Sequence, residues 1–272
     1  MTVETSEPPA GTLHTRTVRP PTGPRGASLL ARATSIPALV LGLAVVTLAA
    51  AGPMQLLDQR LHRRWIVDLA PGLEPFVQGV LDRIAGQAVG LPVLAVVAIV
   101  LAHRRGSWRP IWFAVMAEVA FFFGVGALKL LLARPAPVVG ETHFLAGGLL
   151  EFGERGISYP SGHAAEAVLV YGAAVHLIAR YSGASPRLVG VLSWAVAAIT
   201  VNSVVVSFAL GWHWATDLIG GVLAGGLFLR LLILGDHRDW GPPPSTDGIE
   251  MARAQGQGPA SRAAQLRLLD FH

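Results

Sequence analysis

Residues 188–212 read LVGVLSWAVAAITVNSVVVSFALGW, a stretch without a single charged side chain. An α-helix needs about 20 consecutive apolar residues to cross the roughly 30 Å hydrocarbon layer of a bilayer. This stretch meets that requirement, and the whole chain agrees with it, because 52% of its 272 residues are hydrophobic and only 14% are charged. The sequence therefore predicts an all-α, polytopic membrane protein.

Further apolar stretches on both sides of this one bring the predicted number of transmembrane helices to six. They lie at 32–58, 84–102, 110–132, 163–179 and 214–234. Basic residues are more frequent on the side of the N-terminus, so we predict cytoplasmic N- and C-termini in the plasma membrane. Between the first two spans, the hydrophobic spacing over 73–81 predicts an amphipathic helix, either in the membrane interface or packed over the spans.

The composition also excludes several kinds of site and partner. The chain has no cysteine, which excludes disulfides and thiolate metal sites. Its net charge of +4 is too small to indicate a nucleic-acid partner. Residues 1–27 and 235–272 are rich in Pro and Gly and predict disordered cytoplasmic tails around a membrane domain at 28–234. We expect no metal or cofactor, and the oligomeric state stays open.

Polar residues gather where three of the predicted spans begin or end. Lys129 lies at the end of the third span, Pro160-Ser161-Gly162-His163 lies at the start of the fourth, and His213 and Asp217 lie at the start of the sixth. With the N-terminus inside, the alternation of spans puts all three places on the external face of the membrane. Ionisable groups at membrane depth are costly and usually functional, so we predict an active site at this face.

The residue types at these places suit the transfer of a phosphoryl group. His213 and Asp217 are four residues apart, so a carboxylate can orient the imidazole from the same helix face. His163 follows a helix start, where free N–H groups favour an anion, and Ser161 adds a hydroxyl donor there. Lys129 adds a positive charge. Two histidines beside an anion site offer a nucleophile and a general acid.

These motifs resemble those of the phosphatidic acid phosphatase type 2 (PAP2) superfamily, which are membrane lipid phosphatases related to vanadium haloperoxidases. The resemblance covers about residues 84–234. It rests on the order of Lys129, Pro160-Ser161-Gly162-His163 and Gly211-x-His213-x-x-x-Asp217.

The resemblance implies hydrolysis of a phosphomonoester or diphosphate of a lipid, of the phosphatidate or polyprenyl-phosphate type. It implies that His213 forms a phosphohistidine, that Asp217 orients His213, and that His163 protonates the leaving group. The residues expected to hold phosphate oxygens are Lys129, Ser161 and Gly162. The implied partners are a membrane lipid and the bilayer.

Two arginines of the family motifs are missing from their usual places. Ala136-Pro137 stands where the first motif has Arg-Pro, although Arg134 precedes it by two residues, and Val206-Ser207 stands where the third motif has Ser-Arg. Arg134 and Arg155 are the candidate replacements. Three hypotheses stay open: a phosphatase with relocated arginines, a phosphotransferase for a phosphodiester or diphosphate lipid, and a lipid-binding protein without turnover.

Two acids inside the predicted spans allow a rival hypothesis. Glu118 would suit the proton path of a transporter, or it is a structural acid with a partner such as Asn202. Glu166 follows His163 by one helical turn and either tunes that histidine or is a carboxylate favoured at a helix start.

Overall fold

The computed structural model describes residues 31–240, and every regular element in that range is helical. The α-helices are α1 (Ile36–Ala51), α2 (Gln55–Leu61), α3 (Trp65–Leu69), α4 (Glu74–Phe76), α5 (Arg83–Ala85), α6 (Gln87–Arg105), α7 (Arg109–Val119), α8 (Gly126–Leu132), α9 (Leu149–Phe152), α10 (Gly162–Tyr181), α11 (Pro186–Ala209) and α12 (Ala215–Trp240). Short 3-10 helices occupy Pro71–Leu73, Pro137–Val139 and Gly153–Gly156, and π-helical turns occupy Val77–Asp82 and Ala120–Val125. The predicted all-α class is confirmed.

Five helical stretches are long and apolar enough to cross a membrane. They are Pro71–Arg105, Arg109–Val139, Gly162–Tyr181, Pro186–Ala209 and Ala215–His237. A sixth candidate span is a pair of helices, Ile36–Ala51 and Gln55–Leu69, that meet at 78°. The predicted first span at 32–58 is therefore bent rather than straight. Pro53 lies at the break, where its missing N–H and its ring oppose a continuous helix.

Residues 71–85, which include the predicted amphipathic helix, continue directly into α6. Val77 is buried against Val206 and Leu210 at the end of α11. This segment therefore packs over a neighbouring span, which is the second of the two predicted alternatives.

The two predicted tails mostly fall beyond the part of the chain that the structure describes. Residues 1–27 lie outside it entirely, and so do residues 241–272 of the predicted C-terminal tail. Helix α12 runs to Trp240, past the predicted boundary of the membrane domain at residue 234.

Helix α10 lies at the centre of the bundle, in contact with α6, α11 and α12. Its face toward α12 carries the buried residues Ala164 and Ala165, which pack against Gly221 and Gly225 of α12. A Cβ on Gly225 would lie 2.4 Å from the Ala165 carbonyl oxygen. Membrane helices associate largely by close packing, which small residues allow. This close approach brings the start of α12 against the start of α10.

Candidate active site

His213 lies in the loop between α11 and α12, and its ring is oriented by two acceptors. Its Nδ1 lies 3.0 Å from Ser158 Oγ and 3.5 Å from Asp217 Oδ2. The Ser158 hydroxyl donates to the same Asp217 oxygen at 2.5 Å. Because Nδ1 faces both acceptors, we infer that it carries the ring proton and that Nε2 keeps its lone pair.

The protonation state of His213 also suits a nucleophile. Burial lowers the pKa of His213 below its ordinary value, against the opposing effect of the Asp217 carboxylate. The imidazole is therefore neutral at pH 7, which is the form that can attack phosphorus.

Arg134 lies behind Asp217, and the structure does not support its predicted role as a phosphate ligand. The side chain is 0% exposed. Nη1 donates to Asp217 Oδ1 and to Thr216 Oγ1, both at 2.7 Å. Nη2 donates to Asp58 Oδ2 at 2.8 Å, and Nε donates to the Thr142 carbonyl at 3.1 Å. Protein groups engage all three nitrogens, so Arg134 positions Asp217 instead of meeting substrate.

Asp58 connects the bent first span to the site. This carboxylate on α2 is 1% exposed and accepts the Thr216 N–H at 3.2 Å and the Thr216 hydroxyl at 2.5 Å. Sequence reasoning missed Asp58 because an acid after an apolar stretch has the usual appearance of a span end. Its one signal is its position at the boundary of that stretch, and no spacing ties it to Arg134.

Lys129, at the end of the predicted third span, reaches the loop before α10. Its Nζ donates to the carbonyl oxygens of Ile157 at 2.9 Å and Ser158 at 3.3 Å. Its Cε lies 3.5 Å from the position of a Cβ on Gly162. The structure therefore brings Lys129 to the start of α10 and close to the serine that orients His213.

Ser161 caps α10 and links its start to α12. The Ser161 hydroxyl accepts the Ala164 N–H at 3.4 Å, while the Ser161 N–H donates to the Asp217 carbonyl at 2.9 Å. Gly162 is the first residue of the helix. The helix start, with its unsatisfied N–H groups, thus lies beside the predicted nucleophile and its carboxylate.

His163 sits in the first turn of α10 with a carboxylate that the sequence did not point to. Its Nε2 lies 3.6 Å from Asp82 Oδ2, and its ring centroid lies 6.2 Å from that of Trp212. When His163 is protonated, Asp82 forms an ion pair with it. No spacing in the sequence relates Asp82 to this histidine, because the two residues lie on different spans.

Arg155, the second candidate replacement, is an exposed residue of the Gly153–Gly156 turn. Its carbonyl accepts the Ala136 N–H at 2.7 Å, which fixes the turn to the loop after α8. A contact between its side chain and a phosphate stays a prediction.

Glu118 and Glu166 take part in none of the contacts described above. Both carboxylate oxygens of Glu118 and Oε1 of Glu166 are buried without a hydrogen-bond partner. The expected partner Asn202 donates instead to the Leu81 carbonyl at 2.7 Å. Glu118 lines an apolar cavity of about 530 Å³ between α6 and α7.

Comparison with known proteins agrees with the resemblance in the motifs. Residues 108–240 match the sequence model of the PAP2 superfamily. The fold is similar to that of a transmembrane PAP2 type phosphatidylglycerolphosphate phosphatase from Bacillus subtilis, with a TM-score of 0.59 and 19% sequence identity. That similarity covers 75% of this chain and 96% of the phosphatase. No curated protein matches the chain by sequence.

Proposed function

Because residues 108–240 match the PAP2 superfamily and the fold is that of a PAP2 type phosphatase, we propose that this chain is a membrane lipid phosphatase. It hydrolyses a phosphomonoester or diphosphate of a lipid through a phosphohistidine intermediate. The observation that supports this most directly is the His213 ring, held through Nδ1 by Ser158 and Asp217.

In the first step, His213 Nε2 attacks phosphorus and the bond between phosphorus and the lipid oxygen breaks. His163 protonates that oxygen as it leaves, which prevents the release of an alkoxide. Asp217 balances the positive charge that develops on the His213 ring. In the second step, His163 takes a proton from water, the water attacks the phosphohistidine, and phosphate leaves.

The start of α10 and Lys129 hold the phosphoryl group in this proposal. Ser161 donates its hydroxyl, the first N–H groups of the helix donate to phosphate oxygens, and Lys129 supplies a full positive charge. Hydrogen-bond donors and cations fixed around the phosphate oxygens stabilise the transition state more than the ground state, because charge on the oxygens is redistributed during transfer.

We place this site at the external face of the plasma membrane, with both termini in the cytoplasm. The support is the excess of basic residues on the opposite side of the predicted spans. The substrate is then a lipid of the outer leaflet, of the phosphatidate or polyprenyl-phosphate type. The similar Bacillus subtilis protein is a phosphatidylglycerolphosphate phosphatase, so that lipid belongs among the substrates to try.

A lipid phosphotransferase is the second candidate, and the engagement of Arg134 favours it. A phosphodiester has fewer free oxygens on its phosphorus than a phosphomonoester has, and it needs fewer cationic ligands at the reacting group. A site without Arg134 suits such a substrate. Product analysis separates the two, since a hydrolase releases inorganic phosphate and a transferase forms a new phospholipid.

The test is the release of inorganic phosphate from phosphatidate or a polyprenyl diphosphate by the purified protein in detergent. We expect His213→Ala to lower the rate by about 10³-fold or more, because a covalent step is lost. Labelled lipid phosphate should leave an acid-labile, alkali-stable label on the wild-type protein and none on the variant. His103→Ala, at the exposed end of α6, is the matched control. Unchanged activity in His213→Ala would overturn the proposal.

A further inference from the structure

The proposed phosphatase site lacks an arginine that can reach substrate from the family's first motif. Arg134 is buried and bonded to Asp58 and Asp217, and Val206-Ser207 replaces the third-motif Ser-Arg. A phosphomonoester carries up to two negative charges and a diphosphate carries more, and arginine is the side chain best shaped to bind such a group. An arginine that binds the phosphate would therefore have to come from another part of the chain.

The loop between α2 and α3 packs directly on the backbone that carries His213. A Cβ on Gly211 would lie 3.0 Å from Arg64 Cγ, 3.1 Å from His62 Cε1 and 3.2 Å from the Arg63 carbonyl oxygen. Gly211 also has φ = +72°, so this position requires glycine for its conformation as well as for space.

The same loop contacts the chain on the other side of the nucleophile. The His62 ring lies 5.4 Å from the ring of Trp214, between centroids. Residues on both flanks of His213 therefore touch the loop. This basic loop therefore lies against the segment of chain that carries the nucleophile.

Arg64 is the side chain in this loop that is free to change partners. Its Nη2 lies 3.0 Å from Glu74 Oε1, and its side chain is 57% exposed. Exposed ion pairs of this kind are weak, so the guanidinium can exchange its carboxylate for a phosphate at little cost. Glu74 keeps a donor afterwards, because Gln78 Nε2 lies 2.9 Å from the same oxygen.

Arg63 differs from Arg64 in its surroundings. Its guanidinium lies 5.1 Å from the centroid of the Trp65 ring, and its Nε lies 3.8 Å from Asp68 Oδ2. These contacts direct the Arg63 side chain toward α3. The aliphatic part of the Arg64 side chain packs against Gly211 instead.

We propose that Arg64 is a substrate-binding residue that leaves Glu74 to bind an anionic oxygen of the lipid phosphate. The inference rests on the proposed function and deepens it, since it assigns the missing arginine to a loop outside the family motifs. Glu74 acts as a competing anion that holds Arg64 when no substrate is present.

Two substitutions with opposite expected effects test the proposal. The assays are the KM for short-chain phosphatidate in detergent and the inhibition constant of inorganic phosphate. Arg64→Gln should raise both by about tenfold or more with a smaller change in kcat, because a charge-assisted hydrogen bond to bound phosphate is lost. Glu74→Gln should lower both, because it removes the competing carboxylate. Arg60→Gln, an exposed arginine of α2, is the matched control and should change neither.

The double variant Arg64→Gln/Glu74→Gln distinguishes release of Arg64 from a general change in charge. The benefit of Glu74→Gln should vanish when Arg64 is absent. A benefit that persists in the double variant, or values for Arg64→Gln within twofold of wild type, would overturn the proposal.

A binding measurement keeps this test independent of turnover. Inorganic phosphate should raise the melting temperature of the wild-type protein in detergent, and Arg64→Gln should shift that dependence to higher phosphate concentrations. If His213→Ala leaves phosphate release unchanged, the proposed mechanism fails while the thermal shift still decides the role of Arg64. A thermal shift identical in wild type and Arg64→Gln would count against Arg64 alone.

Discussion

Asp217 is the residue on which most of the site's contacts converge. Its Oδ2 accepts hydrogen bonds from the Ser158 hydroxyl and the Trp214 N–H, and its Oδ1 accepts one from Arg134 Nη1. A carboxylate held from both oxygens cannot rotate, so the His213 ring that it faces is fixed as well. Preorganisation of this kind lowers the reorganisation needed in the transition state.

At this scale we predict that Arg134→Gln is strongly destabilising and also slows turnover. It would leave the buried carboxylates of Asp58 and Asp217 without their cation, at a cost of about 3–5 kcal/mol in the free energy of unfolding. Because Asp217 loses one of its anchors, kcat should fall more than KM rises. Thermal unfolding in detergent and steady-state kinetics measure the two effects.

The matched control for this prediction is Arg187→Gln, an exposed arginine at the start of α11, which should change the melting temperature little. A double-mutant cycle with Asp58→Asn should be non-additive, since both single changes break the same ion pair. Equal melting temperatures for Arg134→Gln and Arg187→Gln would contradict the structural role of Arg134.

Site residues that belong to a motif of fixed spacing could be predicted from the sequence, and those outside such a motif could not. His213 and Asp217 are four residues apart, so their proximity follows from helix geometry. Ser158, Asp58 and Asp82 each meet their partners across different elements. Their roles depend on how the helices pack, which no local pattern records.

At the scale of the elements, the contact between α10 and α12 sets the distance between the helix start at Gly162 and Asp217. The closest approach to a backbone atom is at Gly225, where the facing carbonyl oxygen cannot move aside as a side chain can. Gly226, the next residue, faces only the end of the Leu39 side chain, with 3.5 Å of space.

We predict that Gly225→Ala destabilises the protein, because a Cβ at 2.4 Å from the Ala165 oxygen forces α10 and α12 apart. The expected loss is about 1–3 kcal/mol, measured as a lower melting temperature in detergent. Gly226→Ala makes the same chemical change in an open place and should be neutral or slightly stabilising, as is usual for alanine in a helix. The reverse order of the two variants would contradict this packing.

The sequence was sufficient to predict the long helices but not the bend or the continuation between shorter ones. The long apolar spans were found because their length alone identifies them. The 78° bend in the first span was missed, although Gly52-Pro53 could have indicated it, because the lack of charge across the break resembled one continuous helix. The continuation of residues 71–85 into α6 was also missed, because the charged residues Asp82 and Arg83 precede the predicted start of that span at residue 84.

At the scale of the whole molecule, the proposed topology makes a prediction about the two ends of α10. The loop before it, with Glu154, should be external, and the loop after it, with Ser182, should be cytoplasmic. Both residues are exposed, and the chain has no cysteine of its own. In intact cells, a membrane-impermeant maleimide should label Glu154→Cys and spare Ser182→Cys until the membrane is opened. Labelling of Ser182→Cys alone would reverse the orientation.

The bond from Asp58 to Arg134 has a consequence for how this chain can be divided. The segment that matches the superfamily begins at residue 108, yet one of the two acids that neutralise its buried arginine lies on α2. A polypeptide cut in the turn between α6 and α7 would yield two halves that each lack part of the charge balance. We therefore expect neither half to fold as an autonomous domain, and we expect activity to return only when both are present in the same bilayer, as a complementing pair.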